Sequence, residues 1–586
     1  MLVKIFHAAA QRRNEKHVVP PRRRVKNLWQ NQLPVTSAAN HTRPPLRVGL
    51  LVDSFIQPRW IEKIIRDIQS SAFAEVCLVI KNESEEPPLP RLRAYWKNRN
   101  HLLYAFYSQL DNRLVKPSPD AFEPVDVQEL VSNCRVLPVV PTKKKYSDWF
   151  TDTDIDAIQE EHLDVALAFG FRILKGKALQ IARHGVWSYH HGDNLINRGG
   201  PAGFWEVMEG STITGSVLQK LNEDLDNGYV IQRSWSSTSD RFSVKANKNT
   251  LYWRSSSYVI RALKELHDSG EIVRAEARLY RPYHKQLYKA PTNAQLFPKL
   301  TALSLNYIAS KFRNAGAVEQ WILAYRFRSS ADDPNNTFYR FHHVTPPKDR
   351  FWADPFPIVV NGKYYLFFEE FIYKTNLGHI VVAEVDRSAQ TLKPEVALKT
   401  DYHLSYPFVF FWQDRLFMLP ETSSKRTVEL YSCESFPSGW KLEAVVMDNV
   451  NAKDATLVQA NGLWWMFVSL TETPFADELH IFYAETPFGP WKPHRQNPIT
   501  SDVRNLRPAG KPFVWHDQLY RPAQDSSRYY GYAVTINRIL KLSPEDFVEE
   551  EVSKVLPLWR KDLLATHTLN VCDDLTVVDC LIRRRK

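Results

Sequence analysis

The chain of 586 residues is poor in cysteine, and it lacks both long apolar runs and glycine-rich nucleotide loops. Its five cysteines are odd in number and have no metal-ligand spacing, so no metal site is predicted and a reducing cytoplasm suits them best. No apolar run approaches the roughly 18 to 20 residues of a membrane span. No G-x-G-x-x-G motif follows the first predicted strand and no Walker loop is present, so a nicotinamide cofactor and a nucleoside triphosphate have no sequence support.

The positive charge of the chain is concentrated at its start. The formal net charge is +11, but nine basic residues and only one acidic residue fall within positions 1–46. The first ten residues lack the apolar segment of a signal peptide, and arginines follow them. We predict that residues 1–46 form a disordered basic tail that makes at most weak peripheral contact with an anionic membrane surface. Binding of nucleic acid by a folded basic face is not predicted.

Between residues 47 and 237, apolar strand patterns alternate with helical spacing. Strands are predicted at 47–53, 75–80, 136–140 and 163–170, with a helix over 58–72 between the first two. Alternation of this kind, with nearly continuous apolar strands, favours an α/β fold built on an open parallel sheet with helices on both faces. Ligand sites in such sheets lie at the carboxyl edge of the strands.

Four short motifs follow in order within residues 185–228. They read Gly-Val-Trp-Ser-Tyr-His (185–190), Arg-Gly-Gly (198–200), Thr-Gly-Ser-Val (214–217) and Leu-Asp-Asn-Gly (225–228). This set resembles the catalytic core of the folate-dependent formyltransferases, of the methionyl-tRNA and sugar N-formyltransferase type. In that family an Asn, a His and an Asp surround the transferred carbonyl, and here His190 and Asp226 take the last two positions while Ser188 replaces the Asn.

The resemblance implies transfer of a formyl group onto an amine, with 10-formyltetrahydrofolate as the donor. The reaction passes through an oxyanion that needs a hydrogen-bond donor, and the attacking amine must lose a proton. His190 would polarise the carbonyl, Asp226 would take or relay the proton, and Ser188 would stand in for the amide. A structural alternative stays open, because single histidines are commonly structural and Asp-Asn-Gly is first of all a turn former.

From about residue 320 the sequence changes to short aromatic strands with turns, and a repeat appears. Its five copies begin near Ala353, Ser405, Asp454, Gly510 and His567 and lie about 50 residues apart. Repeats of this length favour an all-β five-bladed propeller, in which each blade buries its faces against its neighbours. This half resembles the N-terminal propeller of plant glucosamine inositolphosphorylceramide transferases, and more distantly the five-bladed arabinanase and xylosidase type of glycosidase.

Polar residues at the inner ends of the repeats predict a central, sugar-sized pocket flanked by aromatics such as Trp352 and Tyr406. The predicted lining consists of Asp354, His403, Glu421, Asp454, Arg507 and Asp525. The glycosidase resemblance implies that Asp354 is a general base and that Asp454 tunes the acid. The acid itself has no clear counterpart, since Glu421 lies in the wrong repeat. A purely structural role for these carboxylates, or glycan binding without hydrolysis, stays open.

The predicted order is a tail (1–46), a formyltransferase-like α/β domain (47–237), a helical bridge (238–318) with helices at 249–270 and 293–315, and a glycosidase-like propeller (319–586). We expect a cytoplasmic transferase of surface-glycan or glycoconjugate assembly. It would transfer a one-carbon or acyl group to an amino sugar, carried on a nucleotide or lipid, while the propeller holds the glycan. The alternatives are glycosidase or glycosyl-transfer activity in the propeller beside a degenerate first domain, and a glycan-binding protein without activity.

Overall fold

A computed structural model describes residues 43–84, 99–238, 242–272, 287–314, 316–328, 338–387, 391–473 and 476–585. Most of the predicted basic tail therefore lies outside the described residues. The chain divides into two compact units, the first formed mainly by residues up to 302 and the second mainly by residues 303–586. Within the described residues, no helix combines the length and the apolar character that a membrane crossing requires.

The first unit contains these elements. Its helices are α1 (Arg59–Gln69), α2 (Leu102–Leu114), α3 (Asp152–Gln159), α4 (Trp205–Glu209), α5 (Val244–Ser255), α6 (Tyr258–Ser269) and α7 (Asn293–Asn314), the last of which runs across the boundary at 302. Its strands are β1 (Leu46–Val52), β2 (Ile56–Pro58), β3 (Ala74–Asn82), β4 (Pro124–Asp126), β5 (Arg135–Val139), β6 (Thr142–Lys143), β7 (Ser147–Trp149), β8 (Val165–Ala168), β9 (Ile173–Leu174), β10 (Val186–His190), β11 (Ile213–Lys220) and β12 (Tyr229–Ser237).

Seven of these strands form one sheet in the order β12-β11-β10-β8-β1-β3-β5. The run from β10 to β5 is parallel, and β11 joins β10 antiparallel. The prediction of a parallel α/β sheet is confirmed, because strands that are buried on both faces carry continuous apolar runs. One face packs on α1 and α6 through residues such as Ile64 and Leu263, and the other packs on α3 through Ile155 and Ile158.

The sequence predicts a separate helical bridge over residues 238–318, and the structure differs from this prediction. The predicted helix over 249–270 is two helices, α5 and α6, separated at Ser256 and Ser257. Trp253, Tyr258 and Val259 are buried in the core of the first unit. Both helices therefore belong to that core, α5 through Trp253 and α6 through its apolar face.

The second unit consists mainly of antiparallel strands. They are β13 (Ala317–Phe327), β14 (His342–Val344), β15 (Arg350–Val360), β16 (Lys363–Ile372), β17 (Leu377–Val385), β18 (Glu395–Leu398), β19 (Ser405–Trp412), β20 (Arg415–Thr422), β21 (Thr427–Ser435), β22 (Gly439–Asp448), β23 (Ala452–Ala460), β24 (Leu463–Thr473), β25 (Ala476–Ala484), β26 (Lys492–Pro493), β27 (Arg507–Pro508), β28 (Phe513–Trp515), β29 (Gln518–Asp525), β30 (Ala533–Leu542), β31 (Phe547–Val555), β32 (Leu563–Ala565), β33 (Leu569–Cys572) and β34 (Leu575–Arg585).

These strands form successive antiparallel sheets: β15 to β18, β19 to β22, β23 to β26, and β27 with β29 to β31. A further sheet has the order β14-β13-β34-β32, so it combines strands from both ends of the unit. Apolar clusters join each sheet to the next. Leu323 packs with Phe368, Phe367 with Phe417 and Met466, Phe467 with Phe547, and Val534 with Val578. The last of these clusters returns to the sheet that contains β13.

Candidate functional site

In the first unit, His190 is the last residue of β10, at the carboxyl edge of the parallel sheet. Its Nδ1 atom lies 3.3 Å from an Asp226 oxygen, and its Nε2 atom lies 2.8 Å from the Asn197 carbonyl oxygen. Since a carbonyl oxygen only accepts, Nε2 donates to it. The Gly199 amide donates to the second Asp226 oxygen at 2.9 Å. Strand and loop thus bring the predicted pair of His190 and Asp226 together in a buried setting.

The electrostatics of this pair favour an ionised state. Burial opposes charge on His190, but the bond to Asp226 and the charge of that carboxylate raise the pKa of the imidazole above its ordinary value. Burial likewise opposes charge on Asp226, but the contact with His190 lowers the pKa of this carboxyl. The pair is therefore an imidazolium held between a carboxylate and a carbonyl, with both of its N–H groups engaged.

Ser188 lies two residues before His190 on β10, so both side chains point to the same face of the sheet. Its hydroxyl oxygen is 3.5 Å from the Ala168 carbonyl oxygen, which is too long for a normal O–H···O bond. Where the formyltransferases that the sequence resembles carry an amide, this chain has a single hydroxyl, and both N–H groups of His190 are engaged. Ser188 and His190 therefore do not supply the preorganised oxyanion donor that transfer from 10-formyltetrahydrofolate needs.

In the second unit, a repeated bulge places polar side chains near the start of three strands, β15, β19 and β23. Asp354, Tyr406 and Asp454 all have φ near +50°, and the ladder to the next strand shifts register at each of these positions. A bulge of this kind turns the side chain away from the regular alternation of the strand. Two of the three residues, Asp354 and Asp454, line a shared cavity.

This cavity has a volume of about 260 Å³ and is lined by residues from successive sheets. Its polar lining is Asp354, Glu369, His403, Ser405, Glu421, Lys453, Asp454, Arg507 and His567, and its aromatic lining is Trp321, Phe351, Phe371 and Tyr530. Phe351 and Phe371 stack with ring centroids 4.8 Å apart. Aromatic faces beside polar groups are the surfaces on which sugar rings stack.

On one side of the cavity, His567 lies between two carboxylates. Its Nδ1 atom is 2.7 Å from Asp579 and its Nε2 atom is 3.4 Å from Asp354. Burial opposes charge on the ring, but the two carboxylates raise the pKa of His567 to about 9. Ligand-type atoms of these three residues lie within 4.8 Å of one another, as for a metal ion. An imidazolium that pairs with both carboxylates describes the cluster better than a set of metal ligands does.

Asp354 has little freedom to act as a base. One of its oxygens accepts a 2.8 Å bond from the Thr568 hydroxyl and faces His567, and the other accepts from the Tyr406 amide at 3.3 Å. A general base must reach the proton that it removes, and these three contacts restrict access to the Asp354 carboxyl. They hold this carboxyl in one orientation.

On the opposite side, Arg507 neutralises Asp454. Both Nε and Nη2 of Arg507 lie 2.7 Å from one Asp454 oxygen, and Nη2 is 3.8 Å from Glu421. Burial raises the pKa of Asp454 to about 8, with Arg507 opposing and Glu421 adding to the shift. Lys453 is held by Asp477 at 3.0 Å.

Glu369 is the carboxyl of the cavity that has no cation beside it within the described residues. Its oxygen lies 3.5 Å from Nε2 of His403, while the Gly378 amide donates to Nδ1 of His403 at 2.9 Å. His403 is thus a neutral ring with its proton on Nε2, and burial lowers the pKa of this ring further. Burial, reinforced by Asp354 and Glu421, raises the pKa of Glu369 well above its ordinary value.

Five of the six predicted lining residues meet in the cavity, and Asp525 does not line it. Asp525 is held instead by Lys554 at 2.8 Å and by the Ser527 amide at 2.9 Å. The predicted aromatic neighbours also differ. Trp352 donates to Glu370, Tyr406 bonds to Thr456, and both are buried outside the lining.

Sequence reasoning missed Glu369 and His567 as lining residues. Glu369 pairs with Ala353, and Glu421 pairs with Ser405, so each faces the residue just before a left-handed bulge position. The two glutamates are therefore equivalent in successive repeats. Extending the repeat to the second strand of each copy would have found Glu369. His567 opens the last copy of the repeat, but it lacks the left-handed φ that Asp354 and Asp454 share, so the repeat alone did not mark it as a lining residue.

Comparisons with known proteins find similarity to two kinds of protein. Residues 337–567 match a family model described as glucosamine inositolphosphorylceramide transferase 1, N-terminal. The rice protein of that name is 40% identical over 209 residues, which are 35% of this chain and 28% of the rice protein. The chain thus matches little more than a quarter of the length of this plant relative.

A methionyl-tRNA formyltransferase from Prochlorococcus marinus is 30% identical over 136 residues, which are 22% of this chain and 38% of that enzyme. Among solved structures, a family 117 glycoside hydrolase from Zobellia galactanivorans superposes with a TM-score of 0.30 at 15% identity, over 44% of this chain and 90% of that one. The similarity of this chain to known proteins therefore rests on the sequence matches and not on the structural superposition.

Proposed function

We propose that this protein is an enzyme of glycoconjugate assembly whose second unit, a five-bladed propeller, binds a saccharide in its central cavity. The observation that carries the proposal is the cavity itself, in which paired charges stand beside aromatic rings in a volume of about 260 Å³. The match of residues 337–567 to a family named for a glucosamine inositolphosphorylceramide transferase supports it. A cytoplasmic location is part of the proposal, and the five cysteines are unpaired.

Phe371→Ala tests this function, because the variant removes one aromatic face of the cavity and leaves the ion pairs intact. We expect saccharide affinity to fall about tenfold, as for the loss of one stacking contact of roughly 1.4 kcal/mol. Calorimetric titration of a panel of nucleotide-linked, lipid-linked and free glycans measures it. Trp515→Ala is the matched control, since Trp515 is 57% exposed and does not line the cavity. Equal losses in both variants, or no binding by the wild type, would count against a saccharide site there.

A second candidate function, carried by the buried pair of His190 and Asp226, is transfer of a one-carbon or acyl group to an amino sugar by the first unit. The positive charge of the imidazolium would stabilise developing negative charge through space, because both of its N–H groups are engaged, and Asp226 would fix its orientation and relay a proton. The partial match to a methionyl-tRNA formyltransferase supports this candidate. The proposal leaves the identity of the acyl donor open. 10-Formyltetrahydrofolate is the first to test, although Ser188 does not provide the hydrogen-bond donor that transfer from this compound needs.

Ser188→Asn is the discriminating variant for this second candidate. If formyl transfer is the reaction, the restored amide should raise the rate about 10²-fold, which is the usual effect of one oxyanion donor. His190→Ala and Asp226→Asn should each abolish transfer. The assay follows formylation of nucleotide-linked amino sugars with 10-formyltetrahydrofolate by mass spectrometry. A clear loss of transfer in Ser188→Asn would mean that the serine serves a different reaction.

A further inference from the structure

Charge is unbalanced around the cavity of the second unit. Six carboxyl groups, those of Asp354, Glu369, Glu421, Asp454, Asp477 and Asp579, meet three cations, Lys453, Arg507 and His567. Each cation already has a carboxylate within about 3 Å. Glu369, in contrast, has no cation beside it among the described residues. A further positive charge would therefore be stabilised here more than a neutral group or an anion.

The surroundings of Glu369 indicate that a further positive charge would bind beside its carboxyl group. Glu369 is 5% exposed, and its carboxyl faces the cavity without a hydrogen bond in the described part of the chain. The neutral His403 ring lies 3.5 Å from its carboxyl oxygen and cannot neutralise a carboxylate. Buried carboxyls without a partner keep a proton, and they give it up when a cation arrives.

We propose that this cavity seats a protonated amine, so that the saccharide bound by the second unit carries a free amino group whose ammonium pairs with Glu369. The inference rests on the proposed saccharide-binding function and names its substrate class. The exchange balances, since the ligand enters as an ammonium ion, the Glu369 O–H bond breaks, and one proton leaves to solvent. No covalent bond to the ligand forms or breaks.

Four carboxyl groups near Glu369 favour this exchange. Asp354, Glu421, Asp454 and Asp579 disfavour a negative charge at Glu369, and they favour an ammonium beside it. The three cations of the cavity oppose an ammonium, but each already pairs with a carboxylate. An N-acetyl group would instead bring a neutral amide and a methyl group, which supply no positive charge to exchange for the proton of Glu369. Discrimination between an amine and an acetamide on one sugar is therefore built into the charge pattern of the cavity.

Three methyl glycosides test the inference, those of glucosamine, N-acetylglucosamine and glucose, titrated into the full chain at about pH 6.5, where an amine is protonated. We expect the glucosaminide to bind at least about tenfold more tightly than the other two. Titration in two buffers of different ionisation enthalpy should give a release approaching one proton per glucosaminide bound. Ligand-observed NMR measures the weaker affinities.

Glu369→Gln should abolish both the preference and the proton release while binding of the glucoside persists. Glu384→Gln is the matched control, because it removes one exposed carboxylate from the same sheet and should change neither. Equal affinity for the three glycosides, or tighter binding of a neutral one, would overturn the ammonium site and leave saccharide binding standing. Absence of binding by all three would overturn both. Proton release by the wild type decides the question even if the Gln variant does not fold.

Discussion

Replacing His567 by alanine is expected to cost the second unit about 3–5 kcal/mol of unfolding free energy, because the buried Asp354 and Asp579 then lose their shared counter-charge. This loss is a large part of the roughly 5–15 kcal/mol that keeps a domain folded. Urea unfolding followed by tryptophan fluorescence measures it.

The pH dependence separates charge from packing in this variant. The folded-state pKa of His567 is about 9, above its ordinary value of 6.5. The stabilisation from its charge is therefore fully present below about pH 6.5 and disappears as the pH rises through 9. The difference between wild type and His567→Ala should shrink over that window. A constant difference would assign the loss to the ring contact with Trp321, whose centroid lies 4.2 Å away.

Arg507→Leu is expected to have a comparable effect, about 3–5 kcal/mol near pH 8, because Asp454 is left buried without its cation. The pKa of Asp454, already about 8, should rise further. An acid with a raised pKa binds more protons when folded, so the stability of the variant should recover as the pH falls towards 5. Urea unfolding at the two pH values measures the recovery.

Arg415→Leu is the control for that experiment. Arg415 forms a 3.0 Å pair with Glu443, and its side chain is half exposed. A surface pair of this kind contributes about 0–1 kcal/mol. If Arg507→Leu is no more destabilising than Arg415→Leu, the pair of Arg507 and Asp454 does not hold the cavity together.

The parallel sheet of the first unit could be predicted because its signal is local. Each of the strands β1, β3, β5 and β8 is a continuous apolar run that stands out from its neighbours. The packing of α5 and α6 could not be predicted in this way. The periodicity of α6 shows that one face is apolar, but it does not identify the surface that this face covers, and α5 buries polar residues such as Asn249 beside Trp253.

The cavity was predicted in part because its residues occur at repeat positions. Asp354 and Asp454 share a place in the repeat, which made them visible. Glu369 and Glu370 are adjacent, however, and only one of them can point inward from β16. The register of β16 against β15 decides between them, and register depends on pairing that a single sequence does not reveal. Asp525 was predicted to line the cavity and does not, because its carboxylate pairs instead with Lys554, 29 residues further along the chain.

The sheet that joins β13 to β34 has a consequence for synthesis of the chain. Eleven consecutive residue pairs, from Ala317 with Arg585 to Phe327 with Leu575, connect segments that lie about 250 residues apart. A ribosome at about 5–20 residues per second needs on the order of 10–50 s to cover that distance. During this interval β13 has no native neighbour on the side that β34 later occupies. The nascent second unit therefore depends on β34 to complete the hydrogen bonding of β13, and a pause shortly before β34 is synthesised would expose that strand edge longest.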